Sequence, residues 1–127
     1  MCIRDRDTGI GGSSMGGLMS LYGVIRHNDI FSRSAAISPS VVNTLQFFKE
    51  DIERCRIEPK THLFLSYGTK ENKRDHTEKL KTTIEIISQL CIDKGIDTTF
   101  YEHIGGKHNE ESWEQETPLW LKAIWGN

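Results

Sequence analysis

The sequence predicts an α/β fold of about four parallel strands with flanking helices, and three observations carry that prediction. Short apolar, partly β-branched runs alternate with longer segments whose apolar residues repeat at helical spacing. A glycine-rich turn, Gly11-Gly12-Ser13-Ser14-Met15-Gly16-Gly17, leads straight into a helix-forming run. Two later strand-like runs end in glycine and are followed closely by a titratable side chain, Glu71 in one case and His108 in the other.

The elements follow in order. Met1–Arg6 places Arg4, Asp5 and Arg6 where a strand buried on both faces would be apolar. The hexapeptide also resembles a translated sequencing-adapter scar. Residues 1–7 are therefore read as a non-native or frayed N-terminus, and residues 8–127 as the domain. Met15 to His27 is predicted as a buried helix, because Leu18, Met19, Leu21, Tyr22, Val24 and Ile25 leave only a thin polar strip. Ser34–Ile37 reads as a short strand ending at Ser38-Pro39-Ser40. Leu45, Phe48 and Ile52 share one face of a helix over Thr44–Arg54.

Thr61–Tyr67, set between Pro59 and Gly68, reads as a buried strand. Leu80, Ile84, Ile87 and Cys91 then define a helix over His76–Lys94, with Gly95 as its stop. Asp97–Ile104 is the last strand. The tail from Glu110 to Trp125 is expected to be helical with a break at Pro118, Thr117 capping the second piece. Its tryptophans are read as core rather than as a ligand platform, with Trp113 placed to pack under the loop that carries His108.

The chemistry starts at Ser14, centred in the G-x-S-x-G pattern Gly12-Ser13-Ser14-Met15-Gly16. A chain that leaves a strand, turns sharply and enters a helix brings the positions two before and two after the apex together. Both are glycine here, and the apex side chain is pushed outward as a nucleophile requires. Glycine-rich turns also bind phosphate. However, neither G-K-[S/T] nor G-x-G-x-x-G is present, and no lysine or arginine lies between Asp7 and Arg26. A serine nucleophile needs a base, and the base needs an acceptor. In parallel-sheet hydrolases these follow in the order Ser, acid, His, each after a strand's C-terminal end. Glu71 is the expected acid, with Asp75 one helical turn on as runner-up, and His108 the expected base. The other four histidines, His27, His62, His76 and His103, are read as surface or strand-end residues.

These residues carry a resemblance. Gly12-Ser13-Ser14-Met15-Gly16-Gly17-Leu18, Asp29-Ile30-Phe31, Ser38-Pro39-Ser40, Gly68-Thr69-Lys70-Glu71 and Gly106-Lys107-His108-Asn109 resemble the putative-esterase family of α/β-hydrolases. The likeness is to its enterochelin-esterase-like and S-formylglutathione-hydrolase-like members and runs from about Thr8 to Trp125. It implies ester hydrolysis through an acyl-enzyme, with Ser14 as nucleophile, His108 as base and Glu71 as acid. Val41-Val42 replaces the aromatic pair that the family often carries after S-P-S.

Such a fold has about eight strands and exceeds roughly 200 residues, whereas this chain has 127. The expectation is the C-terminal half of an α/β-hydrolase fold, inactive alone. Of the two oxyanion-hole donors, only the Met15 N–H would be encoded here. The competing readings are an acyltransferase with the same three residues and a non-catalytic binding domain.

Composition narrows the partners. Sixteen basic and eighteen acidic side chains give a net charge of −2, too balanced to suggest nucleic acid or an anionic membrane. Three cysteines have no metal spacing and form no even-numbered disulfide set. No cofactor and no metal are expected. The expected partner is a small-molecule ester, with a cytoplasmic location as the default.

Overall fold

Strand and helix alternate along the chain as the periodicity predicts. The structure, a computed structural model, describes residues 8–71 and 74–126, without the side chains of residues 74 and 75. The expectations for residues 1–7 and for the Asp75 carboxylate lie outside the described residues. The elements are β1 (Thr8–Ser13), α1 (Met15–Arg26), β2 (Phe31–Ile37), α2 (Leu45–Arg54), β3 (His62–Gly68), α3 (Arg74–Asp93), β4 (Asp97–His103), α4 (Glu110–Gln115) and α5 (Thr117–Trp125).

All four strands run parallel in the order β1-β2-β3-β4. The C-terminal ends of β1 and β2 are level, with Ser13 opposite Ile37; Ile37 is opposite Ser66, and β3 and β4 end together two residues farther on, with Gly68 opposite His103. Loops leaving one rim of the sheet therefore start side by side.

Alternation along each strand divides the core. On one face, Ala36, Leu63, Leu65 and Tyr67 meet Leu21, Val24 and Ile25 of α1, Phe48 and Ile52 of α2, and Leu80, Ile84 and Ile87 of α3. On the other face, Ala35, Ile37 and Phe64 meet Ile124 of α5, with Trp113 and Trp120 alongside. Strand β3 is buried continuously from Leu63 to Gly68, its side chains alternating between the two helical layers. Truncating a fully buried member such as Leu65 or Ile84 costs about 2–5 kcal/mol.

Helix α3 ends as its sequence requires. Gly95 takes φ +98°, and the Ile96 N–H closes back onto the Cys91 carbonyl at 3.0 Å. Burial pushes the Cys91 thiol up to about 12, which keeps it an inert core residue.

Three expectations need correction. Strand β2 starts at Phe31 rather than Ser34. Its serines disguised it, but Ser34 is fully buried and donates to the Ser20 carbonyl at 2.9 Å, which lets α1 lie close to the sheet. The exposed strip of α1 is wider than the thin polar one expected, since the apolar Met15 and Met19 are also exposed. The tail breaks at Glu116, not at Pro118. Glu116 occupies the cap and Thr117 is already helical, so Pro118 lies in the first turn of α5, where its missing N–H has no partner to lose.

Strand β1 pairs only with β2 among the described residues, leaving its other edge open. Beside it, on the α5 side, runs an apolar trough of about 600 Å³ whose lining includes Ile10, Ile37, Trp113, Trp120, Ile124 and Trp125. The last turn of α5 is held down by Arg33, which stacks 4.6 Å from the Trp125 ring centre and donates to the Ile124 carbonyl.

Candidate active site

Each parallel strand delivers one side chain to the same rim. Ser14 follows β1, Ser38 follows β2, Glu71 comes three residues after β3, and His108 five after β4. Open parallel sheets bind ligands outside the carboxyl ends of their strands, and this convergence is of that kind.

Ser14 sits at the sharp turn between β1 and α1 with φ 56° and ψ −118°, a conformation that L-residues rarely adopt. Three backbone bonds enforce it. The Ser14 N–H donates to the Ile37 carbonyl at 3.0 Å, and the Ser14 carbonyl accepts from Leu18 at 3.0 Å and Ser40 at 3.2 Å. The steric need for glycine is not shared as the motif suggests. A Cβ on Gly12 would lie 2.8 Å from the Gly16 backbone, and one on Gly17 would lie 2.8 Å from the Ile37 carbonyl oxygen. A Cβ on Gly16 would meet nothing within 4 Å. The close approach is made by the Cβ direction of residue 12, so Gly12 and Gly17 are required and Gly16 is not.

The structure brings Ser14, His108 and Glu71 together. Ser14 Oγ lies 2.9 Å from His108 Nε2, and His108 Nδ1 lies 2.8 Å from Glu71 Oε1. With Nδ1 donating to the carboxylate, Nε2 is left to accept the serine proton. The Glu71 side chain is 1% exposed, against 36% for that of His108. Its second oxygen, Oε2, accepts from the Gly68 N–H at 2.5 Å and from the Ser38 hydroxyl. A hydroxyl, an imidazole and a buried carboxylate in this sequence can move a proton off the serine oxygen.

The loop carrying His108 is fixed at both ends. Thr69 N donates to the His103 carbonyl at 3.1 Å and Lys70 N to the Gly106 carbonyl at 2.9 Å, tying it to the Glu71 loop. A Cβ on Gly68 would lie 2.4 Å from the Gly106 oxygen, so glycine alone permits that contact. Directly after His108, Asn109 caps α4 by accepting from the Ser112 N–H at 2.9 Å. Trp113 packs edge-on to the His108 ring at 5.0 Å between centres, as expected.

His103 is the strand-end residue expected, closing β4, but it is buried and paired. It is 9% exposed, and its Nδ1 lies 2.9 Å from Oε2 of Glu116, which is 1% exposed. Desolvation holds the Glu116 carboxyl above its ordinary range, with the bond to His103 opposing it. Sequence spacing hides this pair, because α5 must pack before the two meet. Ser38 and the Gly68 N–H were also missed as partners of Glu71. A serine and a backbone donor leave no signature beyond their position after a strand. Ser40, with Oγ 3.4 Å from Ser14 Oγ, completes the rim.

Beside the three residues is a pocket of about 230 Å³ bounded by Ser40, Asn43, His76, Leu80, Glu71 and His108. No helix among the described residues is long and apolar enough to cross a membrane.

Comparison with known proteins bears on the fold and the family. The chain is similar in structure to a ferulic acid esterase, at 18% identity and a TM-score of 0.64, covering 98% of this chain and 53% of that one. Siderophore hydrolase EstB from Aspergillus nidulans aligns at 18% identity and a TM-score of 0.66, covering 91% of this chain and 48% of its own. An enterobactin and salmochelin hydrolase, IroE, aligns at 19% identity and a TM-score of 0.65, covering 95% and 47%. The chain thus spans about half the length of these structures. No curated protein matches it by sequence. The family described as "Putative esterase" matches residues 3–123, nearly the whole chain, and the protein belongs to that family.

Proposed function

We propose that this chain carries the nucleophile, base and acid of a serine hydrolase acting on small-molecule carboxylic esters. The observation that carries the reading is the unbroken relay from Ser14 Oγ through His108 to the buried Glu71 carboxylate, at 2.9 and 2.8 Å. Ser14 Oγ attacks the ester carbonyl while His108 Nε2 takes its proton. Glu71 holds the imidazole in the tautomer that can accept it and steadies the imidazolium that forms. The negative charge developing on the carbonyl oxygen is met by the Met15 N–H at the start of α1. One such donor is worth about 10²–10³ in rate. His108 returns the proton to the departing alcohol, leaving Ser14 acylated. Water, activated by the same imidazole, then releases the acid.

Membership of the putative-esterase family supports the reaction class. The ferulic acid esterase and siderophore hydrolases set the first esters to offer. The test is covalent labelling with a fluorophosphonate probe, located by peptide mass spectrometry, which reads the reactivity of Ser14 and does not require that this chain alone turn over an ester. Modification at Ser14, abolished in Ser14→Ala and His108→Ala, is the expected result. Labelling that persists in Ser14→Ala would overturn the proposal.

A further inference from the structure

We infer that Ser38 is a positioning residue for Glu71, acting through the carboxylate on His108; the inference rests on the hydrolase reading above. Ser38 is 2% exposed and takes φ +44°, a left-handed conformation, although it is neither glycine nor asparagine. Pro39 follows it, and a residue before proline is pressed toward extended backbone, so the strain is double. Glycine would fill the position without it. Strain of this kind persists where the surroundings dictate it, and it collects at working sites.

What the serine adds over glycine is its hydroxyl, which donates to Glu71 Oε2. The Ser38 N–H is committed to the Ser66 carbonyl at 2.9 Å, which fixes the direction of the side chain. Glu71 Oε2 therefore receives two donors, Ser38 Oγ and Gly68 N, and Oε1 is left to face His108 Nδ1 at 2.8 Å. A carboxylate bound by one oxygen in this way cannot rotate its other oxygen off the imidazole. The strand after the nucleophile thus supplies the part that orients the acid.

The experiment compares Ser38→Gly and Ser38→Ala with the unmodified chain. Glycine removes the hydroxyl and relieves the backbone, so its melting temperature should stay level or rise. Alanine removes the hydroxyl and keeps the strain. Two readouts follow, the fluorophosphonate labelling rate at Ser14 and the downfield proton resonance of His108 Nδ1–H. Both variants should label on the order of tenfold more slowly, and the resonance should move upfield or broaden by exchange. A Ser38→Gly chain with unchanged labelling rate and resonance would overturn the inference. The resonance needs no turnover. Failure of the unmodified chain to label would sink the hydrolase reading, while the Nδ1 proton would still decide the role of Ser38.

Discussion

Replacing Gly12 with alanine, and Gly16 with alanine in a separate chain, divides a motif that treats the two glycines alike. The alanine methyl at residue 12 would lie 2.8 Å from the carbonyl carbon and oxygen of Gly16. Ordinary contact between such atoms is about 3.5 Å, so the turn must open by roughly 0.7 Å. Ser14 is fixed to this turn, and its Oγ is 2.9 Å from His108 Nε2. The same displacement carries that distance to the limit of a hydrogen bond. Overpacking of this sort costs about 1–3 kcal/mol, and a misplaced nucleophile costs up to about 10²-fold in rate. Gly16 has no atom within 4 Å of its would-be Cβ and lies in the first turn of α1. Its alanine variant should be more stable, by about 0.5 kcal/mol, through lost freedom of the unfolded chain. Thermal melting and the rate of fluorophosphonate labelling at Ser14 read both effects. Equal damage from the two substitutions, or none from Gly12→Ala, would refute the steric argument.

Ser14→Gly should raise stability by about 1 kcal/mol, since φ 56°, ψ −118° is strained for serine, and should abolish labelling; a less stable variant in denaturant titration would contradict this. Glu116 holds its proton more tightly in the folded chain, chiefly through burial. Its contribution to stability is therefore present at low pH and is lost as pH rises from the unfolded glutamate value of about 4.3 through the raised folded one. Glu116→Gln should flatten that slope in melting curves recorded across pH, and an unchanged slope would exclude Glu116 as its source. The open edge of β1 and the apolar trough beside it should drive concentration-dependent self-association in sedimentation velocity. A single monomeric species at every concentration would show that the edge is protected.

The helices and strands were legible where burial imposes a period. Leu80, Ile84, Ile87 and Cys91 form an uninterrupted buried stripe on α3, and Thr61–Tyr67 matched β3 within a residue. Beginnings and ends were harder where polar residues are buried. Ser32 and Ser34 look like loop residues but lie inside the sheet, with the Ser34 hydroxyl satisfied by the backbone of α1. The positions of Ser14, Glu71 and His108 could be read because each follows a glycine at the same rim, a constraint that is local in sequence. The groups around Glu71 could not. Ser38 and Gly68 become its partners through strand register, and Glu116 finds His103 only through the docking of α5. Nor could the motif show that the steric demand passes from Gly16 to Gly17, since that depends on the path of the loop through Ile37 and Pro39.

All three tryptophans of the chain, Trp113, Trp120 and Trp125, border the trough beside β1. Intrinsic fluorescence is consequently a local gauge: its emission maximum tracks the wetting of that single surface. A ligand or polypeptide settling there would shift the spectrum to the blue with no change in backbone dichroism. Loosening of α4 and α5 would redden it while the rest of the sheet stayed intact. Unfolding followed by indole emission alone would thus report the C-terminal helices, and agreement with far-ultraviolet dichroism becomes the criterion for a single cooperative transition.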